Sequence, residues 1–319
     1  MEENSGFVAI ALTGGLGNQL FQFAAGLHFA KSTSSKLIVD TTLGAPKGRD
    51  INRPDLLELF SANESLLIQS NAWPPNAMRI FNVLLSRGVD ANSIGRKTEI
   101  AFLKLLAERI FIRSAPNRLK IYVANDLGHV DATRIPNHLL IGYFQTYRYF
   151  ENPGVRDVMK NFGHSNVMIK MEYEALAESE QPLVVHVRRG DYRNEQRFGL
   201  LASGYYQEAI KRQYELYGYK KVWLFSDEPS FAMSLISAKI SKGLRVFDNS
   251  RYSPALTLDL MRLGKGYVLA NSSFGYWAAQ LSNASNMRIF VPKPWFMDMV
   301  EPRDLIHPEW ERINATWEK

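Results

Sequence analysis

Cysteine is absent from the 319 residues. Its absence excludes disulfides and thiolate-ligated metal, and a reducing compartment is the easier reading. Long apolar runs are also missing: no stretch approaches the roughly 18 residues needed to cross a bilayer. The opening MEENSGFVAIAL has acidic residues where a secretory signal needs basic ones, and its apolar run is short. The expected location is therefore the cytoplasm. No Lys/Arg block and no RNA-binding signature occurs, so nucleic acid is not an expected partner. What charge there is leans positive, with 38 Lys and Arg against 32 Asp and Glu, a net of +6. That excess suits an anionic ligand or loose contact with an anionic membrane surface, and equally a merely basic soluble protein.

The length allows about two domains, and a hydrophobic content of 46% supplies a core for each. Residues 6–40 read as strand, turn, helix, strand: GFVAIALT, then NQLFQFAAGLHFAKS with helical spacing, then the β-branched KLIVD. From about 45 to 165 the pattern is less regular. APKGRDINRP and NAWPPNA are turn-rich, and EIAFLKLLAERIFI reads as an apolar helix, buried rather than lying on a membrane. After residue 181 apolar runs alternate with helical stretches. PLVVHV, KVWLFS, GLRVFD, GYVLA and MRIFV are strands; SGYYQEAIKRQYELYG, PSFAMSLISAKI, PALTLDLMRLGK and SSFGYWAAQLS are helices. This rhythm predicts parallel strands joined by right-handed crossovers. The expected architecture is α/β, with Rossmann-type domains over residues 1–165 and 166–319 facing a central cleft.

Ligands in such sheets bind beyond the C-terminal ends of the strands, and four clusters fall there or on the following helices. In HVRRGDY, alternation puts His186 and Arg188 on one face and Arg189 on the other. A guanidinium at a strand end beside a Gly turn is a forked donor suited to phosphate, so Arg188 is expected to bind ligand. An Arg189–Asp191 ion pair holding the turn is the structural alternative for those two residues. In FSDEPSF, Ser226 and Asp227 end a strand before Pro229 opens a helix. Asp227 is there either a helix cap or a ligand group. In PALTLDLMRLGK, Asp259 shares a face with Leu256 and Leu263. A carboxylate in an apolar stripe needs a partner, either in a buried salt bridge or on a guanine edge. In ANSSFGYWAAQ, a strand delivers Asn271, Ser272 and Ser273 to a helix start. Hydroxyls, free N–H groups and the helix dipole make an anion site there, or a plain cap.

The GGLGNQ turn is ambiguous alone. A dinucleotide fingerprint is G-x-G-x-x-G with an acidic residue about 20 positions on. Gly15, Gly17 and Asp40 fit, but Leu20 stands where the third small residue belongs. An NAD-dependent oxidoreductase and a non-catalytic sugar-nucleotide-binding module are the competing readings.

Together, GGLGNQLFQFAAG, HVRRGDY, the FSD strand end and NSSFGYWAA resemble the α-1,2-fucosyltransferase family over residues 8–290. The H-x-R-R-x-D pattern is shared with α-1,6- and protein O-fucosyltransferases. The resemblance implies a GT-B-like fold. It implies GDP-β-L-fucose as donor and inverting transfer to O2 of a β-galactoside on a glycan or glycolipid, with no metal or other cofactor. Arg188 would be catalytic with Asn18 and Asp191. The donor would meet His186, Arg188, Arg189, Ser226, Asp227, Asp259, Asn271, Ser272, Ser273 and Phe274. Gly15, Gly17 and Gln19, in a loop closing the cleft from the first domain, would complete its surroundings. Glu228 stands where relatives commonly carry a second Asp, and receives no role. Asp191, Glu195 and His28 are candidate general bases by chemistry alone. A bacterial cytoplasmic enzyme of surface polysaccharide or lipopolysaccharide synthesis, peripheral at the inner membrane, is the implied setting.

Overall fold

A computed structural model describes residues 6–40, 56, 59, 67–69, 120–124, 127–130, 138–161, 167–235 and 243–318. The loops predicted at 45–54 and 71–77, the helix predicted over 99–112 and the end of the helix predicted over 229–240 lie outside them. The chain divides into two compact units, residues 1–163 with 302–306 and residues 164–301 with 307–319. The short stretch 302–306 joins the first unit through Asp304. Its carbonyl accepts the Tyr147 N–H at 3.0 Å, and its carboxylate meets Arg148 Nε at 2.9 Å.

The first unit is built on β1 (Phe7–Ala11), α1 (Leu16–Ser32), β2 (Lys36–Asp40), β3 (Leu67–Gln69), β4 (Lys120–Val123) and β5 (His138–Ile141). Its parallel sheet has the order β3-β2-β1-β5-β4. Val8 to Ala11 are all buried, as expected of a parallel strand covered on both faces. Helix α1 packs tightly on this sheet at Gly26, where a Cβ would come within 2.9 Å of Ile10 and Leu37. Close helix–strand approach, which Leu20 argued against near the turn, therefore occurs two turns later. Leu20 itself is fully buried. The short helices α2 (Arg148–Glu151) and α3 (Pro153–Lys160) follow. Asn152 starts α3, its side chain accepting the Gly154 N–H at 3.0 Å ahead of a proline at the first position.

The second unit runs α4 (Val167–Glu180), β6 (Leu183–Val187), a 3₁₀ turn (Gly190–Asn194), α5 (Ser203–Tyr217), β7 (Val222–Ser226), α6 (Pro229–Ser234) and β8 (Leu244–Asp248). It continues through α7 (Pro254–Met261), β9 (Gly266–Val268), α8 (Ser273–Gln280), β10 (Ile289–Lys293) and β11 (Glu311–Asn314). All its strands are parallel, in the order β11-β10-β9-β6-β7-β8. Its core packs Leu183, Val185 and Val187 of β6 against Tyr205, Tyr206 and Ile210 of α5, and against Val268 and Phe290. Each predicted strand after residue 181 is present, so the α/β reading with two Rossmann-type units stands. The chain travels outward from β6 to β8, then returns to β9 on the other side of β6. The strand order reverses there, which makes the C-terminal ends of β6 and β9 the topological switch point of this sheet.

Candidate functional site

β6 carries His186 to the switch point, where it is 1% exposed and neither ring nitrogen has a hydrogen-bond partner. Burial, reinforced by the positive charge of Arg188, pushes its pKa down to about 3, so the imidazole is neutral at physiological pH. The His186 carbonyl accepts the Ala270 N–H at 3.0 Å, which ties the exit of β9 to that of β6. Helix α8 then closes over the ring. Phe274 lies 6.1 Å away between centroids, and a Cβ on Gly275 would sit 2.5 Å from Nδ1. Only a residue without a side chain permits that approach.

One step past the strand, Arg188 keeps 31% of its side chain exposed. Its guanidinium meets Asp191 Oδ1 at 2.7 Å and Asp227 Oδ2 at 3.1 Å, and lies 5.8 Å above the Tyr192 ring. The phenol of Tyr192, raised to about 12 by burial, donates to the Asn271 carbonyl at 3.2 Å. Arg188 is thus a solvent-reachable fork, oriented by two carboxylates beside the β9–α8 junction.

The alternative ion pair between Arg189 and Asp191 is not formed, because Asp191 faces Arg188. Arg189 turns inward instead, to 6% exposure. Its Nε meets Glu228 Oε2 at 3.1 Å, and its two terminal nitrogens grip both oxygens of Glu318, Nη2 at 2.9 Å. Glu228, unassigned in the sequence, also holds Arg193 through two bonds of 2.6 Å. Asp227 does not cap α6. Its Oδ1 accepts the Arg189 N–H at 3.1 Å, while Ser226 Oγ accepts the Glu228 N–H at 2.9 Å.

At the start of α8 the cap is Ser272, whose Oγ accepts the Phe274 N–H at 3.3 Å. Ser273 is the first helical residue and is partly exposed. Asn271 donates its amide to the carbonyls of Phe198 and Gly199 at 2.9 and 3.3 Å, so that side chain braces a neighbouring loop. Asp259 is fully buried on α7 and lies 3.7 Å from Arg262 Nη1, the salt-bridge alternative raised by the sequence. His186, Arg188, Asp191, Asp227, Asn271, Ser272 and Phe274 are brought together within this unit.

The glycine-rich turn occupies the corresponding position in the first unit, after β1. Gly14, not Gly15 or Gly17, takes the left-handed conformation, at φ +73°, which a side chain would strain. Gly15 precedes α1 and Gly17 is already helical. Gln19 is spent locally: its amide donates to the Gly14 carbonyl at 2.8 Å and its oxygen accepts the Leu56 N–H at 3.0 Å. Asn18 accepts from Gln145 Nε2 at 3.0 Å. Gln22, unremarked in the sequence, accepts the Thr13 N–H and donates to the Gly142 carbonyl at 2.9 and 3.0 Å. Asp40 is buried at the end of β2. His28 lies ten residues along α1 from Asn18, about 15 Å at helical rise. It packs beside Phe29 and Tyr149 with ring centroids 5.5 and 5.1 Å away. Burial, then neighbouring His129, lowers its pKa. Glu195 is exposed just after the 3₁₀ turn.

Residues 118–314 match the family model described as Glycosyl transferase family 11. The O-antigen biosynthesis glycosyltransferase WbnK of Escherichia coli is 24% identical over 304 residues, covering 89% of this chain and 93% of that protein. The alpha-1,2-colitosyltransferase of Escherichia coli is 23% identical over 317 residues, covering 96% and 99%. Among solved structures, NodZ alpha-1,6-fucosyltransferase co-crystallised with GDP is similar in fold, with a TM-score of 0.50 and 13% identity, covering 90% and 96%.

Proposed function

The chain belongs to Glycosyl transferase family 11, and from that premise we propose that it transfers L-fucose from GDP-β-L-fucose to O2 of a β-galactoside, with inversion. The observation that carries the reading is the Arg188 fork, partly exposed at the switch point beside the start of α8. When the bond between fucose and phosphate breaks, negative charge grows on the departing diphosphate while the sugar becomes oxocarbenium-like. Arg188, with the N–H groups and dipole of the first turn of α8 near Ser272 and Ser273, would stabilise that charge in the transition state. No metal is assigned to this step. His186 and Asp259 would meet the guanosine. Asp191 and Asp227 pair with Arg188; arrival of the diphosphate would release Asp191, 65% exposed, as the nearest candidate base.

The nicotinamide reading is not favoured. Leu20 stands where its third small residue belongs, and the chain's family is one of glycosyl transferases. The relatives named for O-antigen synthesis and for colitose transfer support a role in surface polysaccharide assembly; a cytoplasmic position with peripheral contact at the inner membrane is part of the same proposal. Among the described residues no helix is long and apolar enough to cross a membrane. The second relative also favours one variant reading, in which the donor sugar is colitose, L-fucose without its 3-hydroxyl.

The test is a panel of β-galactosides offered with GDP-L-fucose or GDP-colitose, with product linkage read by NMR. An α-1,2-fucosylated product is expected. A clear preference for the 3-deoxy donor would reassign the sugar, and donor binding without hydrolysis or transfer would make the chain a binding module.

A further inference from the structure

The tail of the second unit is fastened beside the same strand exit. Trp317 and Leu201 form an antiparallel bridge. The Glu318 N–H donates to the Leu200 carbonyl at 2.8 Å, and the Ala202 N–H to the Thr316 carbonyl at 2.7 Å. Thr316 Oγ1 accepts the Tyr205 N–H at 2.9 Å, at the start of α5. These bonds fix where the Glu318 side chain begins. Its carboxylate then meets the Arg189 fork with both oxygens. The Arg189 guanidinium also lies 3.5 Å over the Phe231 ring, and is held from above and from the edge.

The consequence reaches Arg188 through Asp227. One oxygen of that carboxylate holds the Arg189 backbone N–H at 3.1 Å and the other pairs with Arg188 Nη1 at 3.1 Å. We propose that Glu318 is a positioning residue for Arg188, keeping Arg189 satisfied so that Asp227 remains available to orient the Arg188 guanidinium. This rests on the functional reading above, in which Arg188 binds the donor diphosphate. Glu228 already gives one oxygen to Arg189 Nε and both to Arg193, which leaves it little capacity for the two terminal nitrogens. Without Glu318 the two terminal nitrogens of the buried Arg189 guanidinium would be left without a carboxylate. Asp227, already at the Arg189 backbone, is the anion for which it would compete, and Arg188 would lose one of its two holders.

The experiment is calorimetric binding of GDP to the chain as wild type, Glu318→Gln, Arg188→Lys and the double variant, with a thermal melt of each. Glu318→Gln is expected to weaken GDP binding on the order of tenfold in the wild-type background. Once Arg188 is replaced, the same change should cost less than about twofold, since effects acting through one residue are not additive. Glu318→Asp, which keeps the charge, should recover most of the affinity. If the glutamine variant does not fold, Glu318→Asp is carried through the same cycle, with a smaller loss that again vanishes beside Arg188→Lys. Equal losses in both backgrounds, or a lowered melting temperature with unchanged GDP affinity, would overturn the positioning role. If wild type fails to bind GDP, or Arg188→Lys leaves binding intact, the functional reading itself fails. If Arg188→Lys weakens binding and Glu318→Gln does not, the positioning role alone falls.

Discussion

Arg188 and Arg189 are neighbours in sequence, yet 31% of one side chain is exposed and 6% of the other. Their substitutions should therefore fail differently. Losing a bidentate charge-assisted pair to the leaving diphosphate costs about 3–5 kcal/mol of transition-state stabilisation, a few hundred- to a few thousand-fold in kcat/KM. Arg188→Lys is expected to fall in that range with its fold intact, because an ammonium cannot reproduce the planar fork. Steady-state kinetics and circular dichroism check this, and a folded variant within about tenfold of wild type would remove Arg188 from the role. Arg189→Lys should instead lower stability by about 3 kcal/mol, since it breaks a buried pair while leaving Glu318 and Glu228 in place; denaturant midpoints read this directly. His186 adds a pH term. Its folded pKa is about 3, against about 6.5 when unfolded, so the unfolded chain binds more protons between those values. Stability from this group is complete above about pH 6.5 and is lost as pH falls toward 3, amounting to about 2 kcal/mol by pH 5. His186→Gln should flatten the decline in urea midpoint between pH 7 and pH 5 relative to wild type. An identical slope in both proteins would assign the decline to other groups, His28 included.

Helix α8 joins fold and site as an element, because its first turn both caps on Ser272 and lies on His186 through Gly275. Gly275→Ala separates the two contributions. Alanine gains about 0.5–1 kcal/mol of helix propensity. Its Cβ, however, would meet a buried ring at 2.5 and 3.2 Å, and overpacking a core costs about 1–3 kcal/mol. The steric term should win, giving a net loss of about 1–2 kcal/mol with weaker GDP binding; an unchanged or raised melting temperature would mean that the ring moves aside without cost. What was legible in the sequence follows from the same scale. Strands such as Val222–Ser226 are covered on both faces, so they read as continuous apolar runs. Period-two alternation through HVRRGDY separated Arg188 from Arg189, which the structure leaves partly exposed and buried respectively. β11 (Glu311–Asn314) escaped because it is polar and pairs on one side only. The partner of Arg189 escaped because Glu318 lies 129 residues away, beyond any local pattern. Gly14 was passed over for Gly15 and Gly17, since a run of glycines does not reveal which one must turn left-handed.

Across the whole molecule the formal charge is +6, but the acidic side chains around the second unit's switch point are not idle. Asp191 and Asp227 face Arg188, while Glu228 and Glu318 face Arg189, with Arg193 sharing Glu228. These carboxylates act as counter-ions to guanidinium groups. Among the described residues, no group of three or more His, Cys, Asp or Glu is placed to hold a metal ion. A divalent cation recruited here would have to displace an arginine from a charge-assisted pair, at about 1.5–3 kcal/mol for each hydrogen bond lost. The diphosphate proposed as ligand would, by contrast, gain from Arg188 directly, since its fork matches phosphate oxygens and needs no bridging ion. Chelation with EDTA is therefore expected to leave the fucosyl transfer rate within about twofold, a change of under ~0.5 kcal/mol in the barrier. The measurement is GDP release with saturating donor and acceptor, before and after exhaustive dialysis against the chelator. Loss of turnover that Mg²⁺ or Mn²⁺ restores would show that Arg188 and the start of α8 do not carry the leaving charge alone, and would move the search for acidic ligands to a metal-bound diphosphate.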